Sequence, residues 1–210
     1  MCKISKPMRV FFKKTGRAKY ISHLDLQRTM QRALKRAKLP VWETEGFNPH
    51  VYITFALPLS LGIESVCESF DVKIINEIST DEIHEKLNAV LTDDLLIIKV
   101  TEPVYKHTEI KEAMYEIVLE EAEKFRGFLN QNEIIITKKT KKGETEIDIK
   151  PLIELKEIKD NKITLILPTG NEFNLNPLQV IKAFNAFVGA ELQADIMRTA
   201  IFCADGNKFI

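Results

Sequence analysis

The chain has 210 residues, of which 45% are hydrophobic and 29% are charged, so it can bury a core and is not disordered as a whole. Its 30 Lys and Arg residues balance its 30 Asp and Glu residues. The charge is nevertheless uneven, because residues 1–41 carry twelve basic side chains and a single acidic one, Asp25. This asymmetry favours an anionic partner at one end, or neutralisation of the two ends across an interface.

Several classes of protein are disfavoured. No segment approaches the roughly 18 apolar residues of a membrane span, and the common glycine-rich nucleotide loops do not occur. The three cysteines, Cys2, Cys67 and Cys203, are far apart and have no zinc-ligand spacing. We therefore expect a protein of the reducing cytoplasm, without a metal, a cofactor or a membrane partner.

The first half of the chain predicts six elements. They are a strand at 8–13, a helix at 22–38, strands at 51–57 and 66–75, a helix at 80–91 and a strand at 95–100. This order is that of a ferredoxin-like βαββαβ unit, an antiparallel sheet with both helices on one face.

A second α+β unit follows a linker predicted at 103–111. Its predicted elements are strands at 114–119, 133–138, 146–149, 152–158, 162–167 and 196–203, with helices at 120–130 and 177–187. The second helix has a clear start, since Asn176 is a capping residue and Pro177 suits the first helical position. We predict an α+β fold of tandem ferredoxin-like antiparallel sheets with helices on one face, as domains at 8–102 and 112–210, the second elaborated.

The first helix carries the strongest functional signal. Ser22 and Asp25 fit a capping box, and Leu26, Met30 and Leu34 form an apolar stripe that faces a core. Basic residues form a second stripe, and more of them lie just upstream. The predicted basic face consists of Lys13, Lys14, Arg17, Lys19, Arg28, Arg32, Lys35 and Arg36.

Such a face predicts binding of a polyanion, because phosphates are bound largely through Lys and Arg. The aromatic residues Phe47, Tyr52 and Phe55 would add base stacking if they are exposed. The alternative is a solvated helix face whose basic residues serve helix propensity.

A turn follows the helix and joins it to the next strand. Gly46, Asn48 and Pro49 all favour a turn; the Asn48 side chain can hold it by an Asx hydrogen bond, and Gly46 can supply a positive φ. We name it the GFNPH turn, and its motif residues are Glu45, Gly46, Phe47, Asn48 and His50.

Two histidines flank the same unit. His23 and His50, with Asp25, Glu45 or Glu68 nearby, could form an acid–base pair or a metal site. The alternative, which we favour, is that both bond to the loops around them, so no catalytic residue is assigned. His107 is expected at the surface.

The motifs TGRAKYISHLDLQRTMQRALKRAKLP and EGFNPHVYITFALPLSLGIES, with weaker ones later, resemble those of the radical-SAM-associated family known by a domain of unknown function, DUF2344. The resemblance spans about residues 8–203. It implies an accessory role beside a radical SAM enzyme, and it brings no iron–sulfur cluster because the three-cysteine motif is absent. The chain departs from the family pattern at Thr44, Val51 and Tyr52, where Tyr52 replaces a basic residue and could stack on a base instead.

Three functions follow as hypotheses. In the first, the chain is an accessory protein without catalytic activity that presents an RNA, either tRNA or ribosomal RNA, to a radical SAM partner through the basic helix and the GFNPH turn. In the second, it is a ferredoxin-like ribonuclease that uses His23 or His50 as acid or base. In the third, its basic end docks an acidic protein and touches no nucleic acid.

Overall fold

The computed structural model describes residues 5–140, 143–170 and 173–210. These form two compact units. The first runs up to His107 and includes Phe209–Ile210, and the second is Thr108–Lys208. The last two residues of the chain thus group with the first unit, and the linker predicted at 103–111 stays a prediction. Cys2 lies outside the described residues.

The first unit contains four strands and two α-helices among its described residues. They are β1 (Lys6–Lys14), α1 (His23–Arg36), β2 (Ile53–Phe55), β3 (Glu64–Ile74), α2 (Thr80–Asn88) and β4 (Ile97–Thr101). The sheet order is β4-β1-β3-β2, and every neighbouring pair is antiparallel.

One hydrophobic core explains why both helices lie on the same face of this sheet. The apolar stripe of α1, with Met30 and Leu34 fully buried, joins Ile83 and Leu87 of α2 in one cluster. The cluster also holds alternate strand residues, such as Val10, which pairs with Phe70 in register. Burial of these two stripes against one sheet face is the main stabilising contribution to such a unit.

The limits of α1 follow from local chemistry. The Ser22 hydroxyl oxygen accepts a hydrogen bond from the Asp25 backbone N–H at 3.2 Å, as expected of a helix cap. At the other end Lys38 adopts a left-handed φ of 53°, and Pro40 follows. These residues stop the helix and turn the chain towards the GFNPH turn.

The second unit is also mixed α and β. Its elements are β5 (Ile110–Leu119), α3 (Phe125–Leu129), β6 (Ile135–Thr140), β7 (Gly143–Asp148), β8 (Glu154–Lys159), β9 (Lys162–Pro168), α4 (Pro177–Val188) and β10 (Ala194–Cys203). Within this unit the order β10-β5-β9-β8 is antiparallel throughout, and β6 pairs with β7 as a separate hairpin.

The structure is therefore a mixed α+β fold with antiparallel pairing and four α-helices in its described part. The helix predicted at 120–130 is shorter: a 3-10 turn at Ala122–Lys124 leads into the five residues of α3. The tandem ferredoxin-like arrangement stays a prediction. None of the described helices is long and apolar enough to cross a membrane.

Candidate nucleic-acid interface

The outward side of α1 is strongly basic. Leu26, Met30, Ala33 and Leu34 of this helix are buried, whereas Arg28 and Arg32 between them are exposed. The exposed basic residues on this helix are Arg28, Arg32, Lys35 and Arg36. We call Arg28, Arg32 and Arg36 the arginine stripe, since steps of four place them along one side of a helix.

Most of these side chains already have a local partner. Arg28 Nη1 lies 3.3 Å from Asp25 Oδ1, with both side chains exposed, and Lys35 Nζ lies 2.9 Å from Glu43 Oε1. Arg36 donates to the Val90 carbonyl oxygen. Within the described part of the chain, Arg32 has no such partner. Exposed ion pairs contribute only about 0.2–1 kcal/mol, so a phosphate can displace these acids at low cost.

The basic residues upstream of α1 are less available than predicted. Lys14 is buried, with an exposed fraction of 1%, and its Nζ donates to the Ile21 carbonyl oxygen at 3.0 Å. A register shift between Phe12 and Lys14 marks an irregularity of β1 at this point. Lys14 therefore holds the segment that leads into α1 and cannot contribute to a surface, which corrects the sequence prediction.

The other three upstream residues differ in their exposure. Arg17 is exposed and Lys13 is half-buried. The Lys19 side chain is 19% exposed, and its Nζ lies 4.0 Å from Glu64 Oε1. Lys19 therefore contributes less net charge to the surface than a free lysine would.

The 3-10 turn at Gly16–Tyr20 is held by two carboxylates. The Gly16 N–H donates to Glu64 Oε1 at 2.8 Å, and the Arg17 N–H donates to Asp94 Oδ2 at 3.1 Å. Gly16 has a φ of +54°, and a Cβ there would lie 2.6 Å from Asp94 Oδ1, so a larger residue would be strained and would displace the Asp94 carboxylate. This turn fixes the direction in which Arg17 leaves the backbone.

The GFNPH turn is the tip of a short antiparallel loop. Thr44 N–H donates to the His50 carbonyl oxygen at 2.9 Å, and His50 N–H donates to Thr44 Oγ1 at 3.2 Å. Gly46 adopts a φ of +123°. The predicted Asx hydrogen bond from the Asn48 side chain is not among the contacts of the described residues; the Asn48 backbone oxygen takes part instead.

His50 closes this turn with its ring. Its Nδ1 lies 3.1 Å from the Asn48 carbonyl oxygen and 3.0 Å from Thr44 Oγ1. In the tautomer with the proton on Nδ1, that nitrogen donates to the Asn48 carbonyl oxygen and Nε2 keeps its lone pair; in the other tautomer, Nδ1 accepts from the Thr44 hydroxyl.

The structure gives His23 and His50 separate surroundings. The His23 ring packs edge-on against Phe55, with 5.1 Å between ring centroids, while His50 bonds within its own turn. Asp25, one of the three acids proposed to join them, bonds to Ser22 and Arg28. No group of three His, Cys, Asp or Glu residues suited to a metal occurs in the described ranges.

The three aromatic candidates differ in exposure. Phe47 at the tip of the GFNPH turn is fully exposed, with a relative accessibility of 105%. Tyr52 is 49% exposed and packs edge-on against Trp42 at 6.1 Å. Phe55 contacts Phe12 and Phe70 at the margin of the core and is therefore not a stacking platform.

A buried charge cluster escaped the sequence analysis. The Arg9 guanidinium, 1% exposed, binds Asp71 with two hydrogen bonds of 2.8 and 2.9 Å and lies 4.2 Å from the Phe209 ring. His107, expected at the surface, is only 22% exposed, and its Nε2 lies 2.9 Å from Asp71 Oδ2.

This cluster has a physical effect on Asp71. Burial raises the pKa of its carboxyl, but the contacts with His107 and Arg9 outweigh burial and hold the pKa below its ordinary value of 3.8. Arg9 also donates to the Ile210 carbonyl oxygen at 3.3 Å, which explains why Phe209 and Ile210 group with the first unit. The arrangement is a structural clamp.

Among the cavities of the second unit, two border α4. One of about 550 Å³ is lined by Leu178, Ile181, Asn185 and Leu192 among others. Another of about 330 Å³ lies against Ile135. Their linings include none of the predicted basic or turn residues.

Comparison with known proteins places the chain in a family. The family model DUF2344, described as an uncharacterized protein conserved in bacteria, matches residues 8–177. The chain belongs to this family. The match includes the arginine stripe and the GFNPH turn, whereas no curated protein matches the chain.

One solved structure is reported for comparison. It is a crystal structure assigned to a glycine cleavage system transcriptional repressor, 13% identical to this chain, with a TM-score of 0.26 over 93% of this chain and 99% of that chain. A similarity this weak has no bearing on fold or function.

Proposed function

We propose that the chain is an RNA-binding accessory protein that presents a tRNA or ribosomal RNA to a radical SAM enzyme. The observation that carries the proposal is the exposed arginine stripe of α1 beside a turn whose tip is an exposed phenylalanine. Backbone phosphates would bind the stripe, and the turn would contact bases.

The charge available to RNA is smaller than the sequence predicted. Five of the eight predicted residues are exposed: Arg17, Arg28, Arg32, Lys35 and Arg36. If each of these five residues binds one phosphate of a single-stranded RNA, a plot of the logarithm of the association constant against log[salt] should have a slope of roughly −3.5. Asp25 and Glu43 compete with the phosphates for these side chains, so the measured slope should be no steeper than this value.

The proposed scaffold and partner rest on different grounds. We infer a ferredoxin-like first unit, because its βαββαβ connectivity accompanies the antiparallel order β4-β1-β3-β2, and we keep the second unit as the elaborated half of the tandem.

The proposal of a radical SAM partner rests on the family resemblance. The thiols of Cys67 and Cys203 are compatible with a cytoplasmic site of action.

The arginine stripe gives the first prediction. We expect the triple variant Arg28→Ala, Arg32→Ala, Arg36→Ala to bind tRNA or ribosomal RNA fragments at least tenfold more weakly than wild type in about 50 mM salt, because it loses up to three phosphate contacts. Its salt slope should be shallower by about 2. Filter binding or fluorescence anisotropy across a salt series measures both quantities.

A matched variant controls for net charge. Arg126→Ala, Lys159→Ala, Lys208→Ala also removes three exposed basic residues, from the second unit, and should leave RNA affinity within about twofold of wild type. An equal loss of RNA affinity in the two triple variants would mean that the overall charge of the protein, and not the arginine stripe, determines binding. If wild type binds no RNA at low salt, the RNA proposal fails, and the basic end would be tested as a docking surface for an acidic protein.

A metal-free ribonuclease is a second candidate, favoured by one observation. Nδ1 of His50 is occupied within the turn, so in the tautomer with the proton on Nδ1 the Nε2 atom is available as a base on an exposed loop beside the proposed RNA face. A catalytic His50 would need Nε2, whereas a structural His50 needs only Nδ1.

Two isosteric variants separate these roles. Asparagine places its amide near the position of Nδ1, and glutamine places its amide near that of Nε2. We expect His50→Asn to retain wild-type RNA affinity and His50→Gln to lose several-fold, because one bracing hydrogen bond contributes about 1 kcal/mol. Cleavage of RNA in EDTA by wild type that His50→Asn abolishes, while still binding RNA, would instead establish the ribonuclease.

A further inference from the structure

The tip of the GFNPH turn presents an aromatic ring with no protein cover. Phe47 is the most exposed large hydrophobic residue among those described. Single exposed apolar residues are common on proteins, so exposure alone carries no function. The surroundings of Phe47 are what distinguish it.

The backbone on both sides of Phe47 is braced. Two hydrogen bonds join Thr44 and His50 across the base of the turn, at 2.9 and 3.2 Å. The His50 ring adds contacts to Thr44 Oγ1 and to the carbonyl oxygen of Asn48, the residue directly after Phe47. An apolar ring held out on a fixed turn loses little conformational freedom when a ligand covers it.

The base of the turn is attached to the arginine-bearing helix. On one side the Val51 carbonyl oxygen accepts from Gln31 Nε2 at 2.8 Å; on the other, Glu43 pairs with Lys35 at 2.9 Å in the absence of a phosphate. Phe47 is four residues from each of these anchors, so its backbone lies within about 14 Å of them, at roughly 3.4 Å per residue. An RNA strand bound to Arg28 and Arg32 would therefore pass the Phe47 ring within a few nucleotides of those arginines.

We propose that Phe47 stacks on an unpaired base of the bound RNA, so that the preferred substrate is a single strand or a loop rather than an uninterrupted duplex. This inference rests on the proposed RNA-binding function and narrows it. Bases inside a duplex have both faces covered by their neighbours, whereas bases of loops and single strands can stack on aromatic side chains. Tyr52 is a poorer platform because Trp42 contacts its ring.

The test compares two forms of one RNA. A 12-nucleotide RNA strand carrying 2-aminopurine is titrated alone and as its perfect duplex into wild type, Phe47→Ala and Phe47→Trp. We expect Phe47→Ala to weaken single-strand binding roughly 5- to 150-fold, the range for loss of one stacked base. The same variant should leave duplex binding within twofold of wild type and should lose the quenching of 2-aminopurine. Phe47→Trp should retain both affinity and quenching.

A control variant removes another exposed apolar side chain. Leu61→Ala, at a position 56% exposed, should change neither affinity nor quenching, and circular dichroism verifies that each variant is folded. Unchanged single-strand affinity in Phe47→Ala, or equal losses on single strand and duplex, would overturn the stacking inference; a loss in the arginine-stripe variant would then still support RNA binding. If wild type binds neither RNA, the proposed function fails and this inference with it.

Discussion

Replacing Asp71 by asparagine should lower the free energy of unfolding by about 3 kcal/mol at pH 7. The substitution leaves the Arg9 guanidinium, 1% exposed, without its counter-charge, and breaking one side of a buried ion pair costs roughly 3–5 kcal/mol. We expect the lower end of that range because the Asp71 side chain is 26% exposed. Urea denaturation followed by circular dichroism measures the change.

The effect should depend on pH in a defined direction. The pKa of Asp71 is lowered below 3.8 in the folded protein, so the ionised carboxylate stabilises the fold at every pH above its unfolded-state pKa. That contribution is lost as the pH falls through the folded-state pKa, because the carboxyl is then protonated in both states. The difference in the free energy of unfolding between wild type and Asp71→Asn should therefore be largest at pH 7, remain at pH 5 and decrease below about pH 3.8.

Two further variants make this result specific. Asp93→Asn removes an exposed aspartate of the same unit and should change stability by no more than about 0.5 kcal/mol. Arg9→Met combined with Asp71→Asn should recover part of the loss, since no unpaired charge remains buried. A loss for Asp71→Asn no larger than that for Asp93→Asn would show that the clamp does not stabilise the fold.

Much of the fold was predictable because local chemistry agrees with the tertiary structure. The apolar spacing and the Ser22 cap defined α1. For α4, Asn176 and Pro177 mark the start of the helix, and Gly189, with its left-handed backbone, marks the end. The predicted helix at 120–130 was too long. Glu121 adopts a left-handed φ of 59°, a strained conformation for a non-glycine residue that the acidic sequence around it does not reveal.

The candidate site was predictable only in part. Helical periodicity placed the arginine stripe on a solvent-facing side, because the opposite stripe is apolar. Burial of Lys14 depends on an irregularity of β1 and on a carbonyl oxygen seven residues away, and neither has a local sequence signature. The clamp between Arg9 and Asp71 joins residues 62 positions apart, so no spacing rule could have indicated it.

Replacing Phe184 by alanine should lower the free energy of unfolding by about 3–4 kcal/mol. Phe184 of α4 is fully buried, and its ring lies 5.2 Å from that of Phe125 and 5.5 Å from that of Phe128. Removal of a buried aromatic ring costs the transfer free energy of its surface together with the cavity it leaves. Urea denaturation, with a fluorescence or circular dichroism signal, measures the loss.

Phe187 provides a control on the same helix, three residues further on. It also contacts Phe128, at 5.8 Å, but is 43% exposed, so Phe187→Ala should cost about 1 kcal/mol or less. Both substitutions exchange phenylalanine for alanine inside α4, so their helix-propensity terms nearly cancel. The difference between the two variants therefore isolates burial of the Phe184 ring. Equal losses would mean that these rings do not form the core that the structure describes around α4.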